Sequence, residues 1–158
     1  MAPFSIANQK IGAGCPPFII AEMSGNHSQS LELALQIVEA AASSGAHALK
    51  LQTYTPDTIT LNANGAEFSI NDPDSLWSGE SLHSLYNKAY TPWEWHKEIF
   101  DYAQSLGLIC FSSPFDESAV DFLESLSAPA YKIASFENNH LPLIHKAAST
   151  GKPLIIST

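Results

Sequence analysis

The sequence predicts an α/β fold in which short buried strands alternate with amphipathic helices. Five apolar runs of strand length recur along the 158 residues, at Phe18–Glu22, Ala46–Gln52, Leu108–Ser113, Ala130–Ser135 and Pro153–Thr158. Continuous apolar runs of this length suit parallel strands covered on both faces. Each run also ends in polar or ionisable residues, and the C-terminal ends of parallel strands are where such folds build their sites.

The first run, Phe-Ile-Ile-Ala-Glu, delivers Glu22 into a Gly-Asn-His turn. A helix follows, because Leu31, Ala34, Leu35, Val38, Ala41 and Ala42 fall on one face at helical spacing, with Gly45 as its C-terminal stop. Ahead of the third run, Thr91-Pro92-Trp93-Glu94 reads as a capping box with proline in the first turn. Trp95, Ile99, Tyr102, Ala103 and Leu106 then mark the expected buried face, and Gly107 ends the helix. Asp116 caps a shorter helix with Ala119, Phe122, Leu123 and Leu126 inside, and Asn138 or Asn139 opens a last one closed by Gly151. Between Tyr54 and Tyr90 the rhythm breaks. About 35 residues rich in Asn, Ser, Gly and Asp read as an insertion at about 55–90 with small elements of its own, overhanging the same end of the sheet as Glu22.

Composition narrows the function classes. The chain is 45% apolar and 15% charged, the profile of a globular domain with a sizeable core. A net charge of −9, from 7 Lys+Arg against 16 Asp+Glu, argues against a nucleic-acid partner. No apolar run approaches a membrane span, so no membrane partner is expected. Two cysteines make no disulfide framework, and Cys110 within an apolar strand reads as a buried thiol, which points to a cytoplasmic location.

Strand parity separates the two faces. Ala48, Lys50 and Gln52 share one face of the second strand, and Leu49 and Leu51 share the other. The branched face is expected to meet helices, and the Ala-Lys-Gln face to point into a barrel. Ala130, Lys132 and Ala134 repeat the pattern. Five units are too few to close an eight-stranded barrel, and the terminal Leu-Ile-Ile-Ser-Thr is a buried-type strand with no cover. The expectation is the first five βα units of a TIM-type (βα)8 barrel, truncated, forming one partial domain over residues 1–158.

Two inward lysines on separate strands form an anion cage, unless each is paired with an interior carboxylate. Ser112, Ser113, Ser135, Ser157 and Thr158 place hydroxyls at the same mouth, where they serve either as phosphate donors or as ordinary turn and cap residues. Glu22 and Glu137 are candidate acids or bases, Glu137 also being suited to a helix N-terminus. None of the six histidines has a metal-ligand spacing. His27 is the best placed of them for substrate contact, with Asn26, Gln52 and Tyr54 as further candidates.

The segments Ala21–His27 (AEMSGNH), Leu49–Tyr54 (LKLQTY), Phe111–Asp116 (FSSPFD), Tyr131–Asn139 (YKIASFENN) and Leu154–Thr158 (LIIST) together resemble the sialic acid synthase, or nonulosonic acid synthase, family. Thr91–Phe100 with Gly107–Leu126 is most similar to its pseudaminic acid synthase branch. The resemblance implies a (βα)8 barrel followed by an antifreeze-like domain, acting as a homodimer with Mn²⁺ or Mg²⁺. It implies condensation of phosphoenolpyruvate (PEP) with an open-chain amino sugar, a 2,4-diacetamido-2,4,6-trideoxy hexose of the L-altrose type. C3 of PEP attacks the metal-polarised aldehyde, water captures C2, and phosphate leaves by C–O cleavage. Matched residue by residue, PEP falls to Lys50, Ser113, Lys132, Ser135 and Ser157, and catalysis to Glu22 and Glu137. Position 113 is often threonine in the sialic branch; serine here keeps the hydroxyl. The family's metal-ligating histidines lie on later strands, so no metal ligand set is expected within these residues, and the chain alone is expected to be inactive. N-acetylneuraminate or legionaminate synthesis, a Schiff-base aldolase using a strand lysine, and a non-catalytic barrel piece are the competing readings.

Overall fold

The computed structural model describes residues 4–158. It opens with an antiparallel hairpin, β1 (Phe4–Ile6) and β2 (Gln9–Ile11), which the sequence had not announced. The βα units follow: β3 (Ile20–Glu22), α1 (Leu31–Ser43), β4 (Ala48–Thr53), the short α2 (Pro56–Ile59), α3 (Leu82–Ala89), α4 (Trp93–Ser105), β5 (Ile109–Pro114), α5 (Glu117–Ser125), β6 (Tyr131–Ile133), α6 (Leu141–Ser149) and β7 (Leu154–Ile156). The five strands β3 to β7 pair in chain order and every pairing is parallel. This is the expected half-barrel.

The two faces of the sheet bury different residues. Leu49, Leu51, Cys110, Tyr131 and Ile133 pack outward against Ala34, Val38, Ile99, Ala103, Val120, Leu123, Leu143 and Ala147 of the helices. Full burial of each leucine contributes about 1.5–3 kcal/mol. On the inner face Ala48, Phe111 and Ala130 form a separate cluster with Ile6 of the hairpin, joined by Phe18, Ile20, Ile109 and Ile155. The hairpin therefore seals the N-terminal end of the inner face, and the polar residues stand at the other end. It escapes a sequence reading because three-residue strands are too short to show a period.

Most helix ends follow the sequence. Gly45, Gly107 and Gly151 sit at positive φ just past α1, α4 and α6, where glycine has no Cβ penalty. Asp116 accepts from the N–H groups of Ser118 and Ala119 to cap α5. Two ends depart. The capping box on Thr91 does not form: α4 starts at Trp93 with Pro92 as N-cap, and the Thr91 hydroxyl is engaged elsewhere. The last helix opens at Leu141 behind His140, after a 3₁₀ turn over Ser135–Glu137 holds the asparagines. The buried face of α4 is also rotated from expectation: His96 and Phe100 join Ile99 and Ala103 inside, whereas Leu106 is 41% exposed.

Residues 55–90 hold α2, a 3₁₀ turn at Ala66–Phe68, a small excursion bridged at Ser69 and Ser81, and α3. α2 begins three residues beyond β4, and Asp57 on it accepts from His83 on α3 at 2.8 Å. The last turn of α3 lies against the loop after β3. A Cβ on Gly25 would sit 2.9 Å from the Ala89 carbonyl oxygen and 3.3 Å from the Ala89 Cβ. Gly25→Ala is expected to lower stability by about 1–3 kcal/mol, read as a fall in the unfolding midpoint. An unchanged midpoint would mean that the insertion is not docked there.

Candidate functional site

The C-terminal ends of the strands bring four ionisable groups together. Glu22 ends β3 and lies in register with Lys50 of β4, and the two form an ion pair. The second Glu22 oxygen, Oε1, accepts from the Ser24 N–H at 3.2 Å, so the first turn after β3 orients the carboxylate. That turn is strained: Ser24, Ser28 and Gln29 all have φ near +50°, costing on the order of 1 kcal/mol each for non-glycine residues. Lys132 stands inward on β6, flanked by Ala130 and Ala134, and its Nζ donates to the Ile133 carbonyl at 3.0 Å.

The electrostatics of these groups are linked. Burial, and then the positive charge of Lys50, lower the pKa of Lys132; Glu22 and Glu137 pull it back. Burial raises the Glu137 carboxyl above the ordinary range, against its own backbone hydrogen bond, His140 and Lys132. Glu137 Oε2 is buried and has no hydrogen-bond partner. Lys50 is thus paired with the interior carboxylate of Glu22, whereas Lys132 donates to a backbone carbonyl and is the cation an added anion would meet, beside the Lys50–Glu22 pair.

The remaining candidates divide. Gln52 and Ser113 are paired in register at the ends of β4 and β5, on the inward side. Ser157 follows β7, half-buried, its N–H on the Ile133 carbonyl. Ser135 is exposed at the start of the 3₁₀ turn after β6, and Asn26 is exposed with its amide on the Met23 carbonyl. Three residues lie away from the mouth. Ser112 is fully buried on the outward side of β5, because strand parity puts it opposite Ser113. His27 is fully buried: Nε2 lies 3.0 Å from the Thr91 hydroxyl, Nδ1 accepts from the Gln29 N–H, and Trp95 meets its ring edge-on. Both nitrogens are engaged, so His27 braces the loop instead of facing the mouth. Tyr54 is 3% exposed and packed edge-on between Tyr86 and Phe115, with burial raising its phenol pKa.

A buried polar group stands behind the mouth, and of its members the sequence reading singled out only Ser112, as a hydroxyl at the mouth. Thr53, His96 and Ser112 are each fully buried, and Thr53 hydrogen-bonds to both of the others. Their one sequence signal is polarity at outward parity in strands whose outward neighbours are leucine and cysteine. Burial lowers the His96 pKa to about 4. At the opposite end of the sheet, Ala7, Asn8, Gln104, Leu108, Leu126 and Pro129 line part of a cavity of about 450 Å³. None of the candidate residues borders it, and its walls carry no cationic group.

Among the described residues no group of three His, Cys, Asp or Glu side chains could hold a metal ion. No helix among them is long and apolar enough to cross a membrane.

Comparison with known proteins agrees with this fold. The pseudaminic acid synthase of Helicobacter pylori is 52% identical over 143 residues, which cover 90% of this chain and 42% of that protein. The crystal structure of the spore coat polysaccharide biosynthesis protein SpsE from Bacillus subtilis matches with a TM-score of 0.77 at 38% identity, over 99% of this chain and 40% of that one. The N-acetylneuraminic acid synthetase from Leptospira borgpetersenii, crystallised with citrate, gives a TM-score of 0.80 at 27% identity, over 98% of this chain and 49% of that one. The chain spans less than half the length of these relatives. Residues 37–158 match the NeuB family, and the chain belongs to that family.

Proposed function

We propose that the protein is a PEP-dependent nonulosonic acid synthase of the pseudaminic acid type. One observation carries the reading: Lys50 and Lys132 converge from β4 and β6 on one inward face, each inside a strand and each near a carboxylate. PEP brings a phosphate and a carboxylate to such a pair. Ser113, Ser135 and Ser157 add hydroxyl donors, and the backbone N–H groups of the following turns add more. The 52% identity to the Helicobacter pylori enzyme favours the pseudaminic branch over the N-acetylneuraminate branch, whose Leptospira relative is 27% identical. Legionaminate synthesis stands between the two, its Legionella pneumophila relative being 40% identical over 149 residues.

In this reading the lysines hold PEP so that its C3 faces the sugar aldehyde. C3 forms the new carbon–carbon bond, water adds at C2, and the C2–O bond to phosphate breaks. PEP, sugar and water thus give the nonulosonic acid and phosphate. Glu137, its carboxyl raised by burial, is the proposed group to hold or return a proton. Glu22, fixed by Ser24 and Lys50, handles the water or the sugar hydroxyls. Gln52 and Asn26 are the proposed sugar contacts. The divalent metal and homodimer of the family resemblance belong to the proposal, as does a cytoplasmic setting. The described residues do not fit a complete metal site, and no step is routed through one.

The test is phosphate release. The protein with PEP, 2,4-diacetamido-2,4,6-trideoxy-L-altrose and Mn²⁺ is expected to release phosphate as PEP disappears. ¹⁸O from water should enter the sugar acid and not the phosphate. N-acetylmannosamine should react at least about tenfold more slowly. The 158 residues expressed alone should release none, because they supply one wall of the site. Release with no amino sugar of this class would overturn the reading. The lowered Lys132 pKa favours a second reading, a Schiff-base aldolase, since a desolvated amine beside another cation is the nucleophile such enzymes need. Borohydride trapping of a pyruvate adduct on Lys132 would decide for it.

A further inference from the structure

The first turn of α4 gathers three strand ends from behind. Thr91 meets His27 in the loop after β3 at 3.0 Å. Trp93 Nε1 donates to the Tyr54 carbonyl, one residue past β4, at 3.1 Å. His96 reaches Thr53 of β4 at 2.9 Å, and Thr53 reaches Ser112 of β5 at 2.6 Å.

The direction of the last chain follows from its far end. His96 Nδ1 faces the Pro92 carbonyl at 3.1 Å, and a carbonyl only accepts, so Nδ1 carries the hydrogen. In the neutral ring Nε2 is then an acceptor. Thr53 must donate to it, and Ser112 must donate to Thr53. Each hydroxyl has one hydrogen and it is committed, so the three groups define one arrangement.

Thr53 is the neighbour of Gln52, and Ser112 is the neighbour of Ser113. Gln52 and Ser113 are register partners on the other face of the same two strands. We propose that Thr53, Ser112 and His96 are positioning residues: from the outward face they hold the ends of β4 and β5 so that Gln52 and Ser113 stand side by side at the mouth. This rests on the synthase reading for what Gln52 and Ser113 contact, though not for the holding itself. The substrate-side residues alternate along the strand with the bracing residues, so each strand end is both presented and fixed.

Thr53→Val keeps the shape and removes the hydroxyl, leaving Ser112 and His96 Nε2 unpaired, whereas Thr53→Ser keeps the bond. In the protein, hydrogen exchange at the amides of Leu51, Gln52, Thr53, Ser112 and Ser113 is expected to speed up about tenfold or more in Thr53→Val. Exchange at Ala48 and Cys110 should be unchanged. A uniform change along both strands, or none, overturns the proposal. In steady-state assays Thr53→Val should lower kcat/KM for PEP about tenfold, with Thr53→Ser within about twofold of the unmodified protein. Full activity in Thr53→Val, or loss without rescue by serine, also overturns it. Should the valine variant not fold, Ser112→Ala, which removes only the last donor, takes its place with the same expectations. If the unmodified protein at its full natural length turns over no PEP, the synthase reading falls, and the exchange pattern alone decides whether the ends are held.

Discussion

Lys50→Met is expected to lower kcat/KM for PEP by about a thousandfold while leaving the unfolding midpoint nearly unchanged. The size follows from the number of charges an anion meets at the mouth. Lys50 and Lys132 are the two inward cations, and removing one preorganised donor to a transferring group typically costs two to three orders of magnitude. The small effect on stability follows from exposure. The Glu22 side chain that Lys50 pairs with is 41% exposed, so water takes over when the ammonium is gone. Lys132 responds as well: without the neighbouring positive charge its pKa moves back up toward the ordinary lysine value. Steady-state kinetics beside thermal unfolding check both parts. A variant that keeps kcat/KM within tenfold would place the anion elsewhere.

Acid is expected to weaken the fold above the pH range in which ordinary carboxylates titrate, and His96 is the main cause. Its pKa lies at about 4 in the folded chain, against 6.5 when unfolded, because burial disfavours the imidazolium. Between those values the unfolded chain binds a proton that the folded chain refuses, so stability is full above pH 6.5 and is lost as pH falls toward 4. The full loss is about 3 kcal/mol, with about 2 kcal/mol gone by pH 5. His27, lowered in the same direction by burial, adds to it. Urea unfolding at pH 7, 6 and 5 measures the slope, and His96→Gln, which cannot be protonated, should flatten it. A flat profile in the unmodified protein between pH 7 and 5 would contradict the assignment.

The parts of the fold that the sequence discloses are those set by periodicity. Buried parallel strands appear as unbroken apolar runs, and parity separates Lys50 from Leu49 and Leu51 without reference to distant residues. What it conceals depends on partners far along the chain. His96 looks like a surface residue of an amphipathic helix, because its partner Thr53 is 43 positions away. Thr91 has the local signature of a cap, yet its hydroxyl serves His27, 64 positions earlier. His27 itself sits beside a turn of small polar residues, where exposure is the natural expectation, and is buried by Trp95. Polar residues buried by long-range pairing break the rule that polar means exposed. Here they cluster directly behind the proposed site.

The N-terminal hairpin has a consequence for how the chain acquires its structure. Ile6 leaves the ribosome ahead of the strands, but its cluster includes Ala48, Phe111 and Ala130 and extends to Ile155. A contact set spanning that much sequence pays its loop-closure entropy only after the intervening strands are in place. The hairpin is therefore synthesised before the strands it seals and locks after them. Until then Ile6 and the inner ends of the strands are bare, and that interval is when the nascent sheet is most prone to pair with another chain.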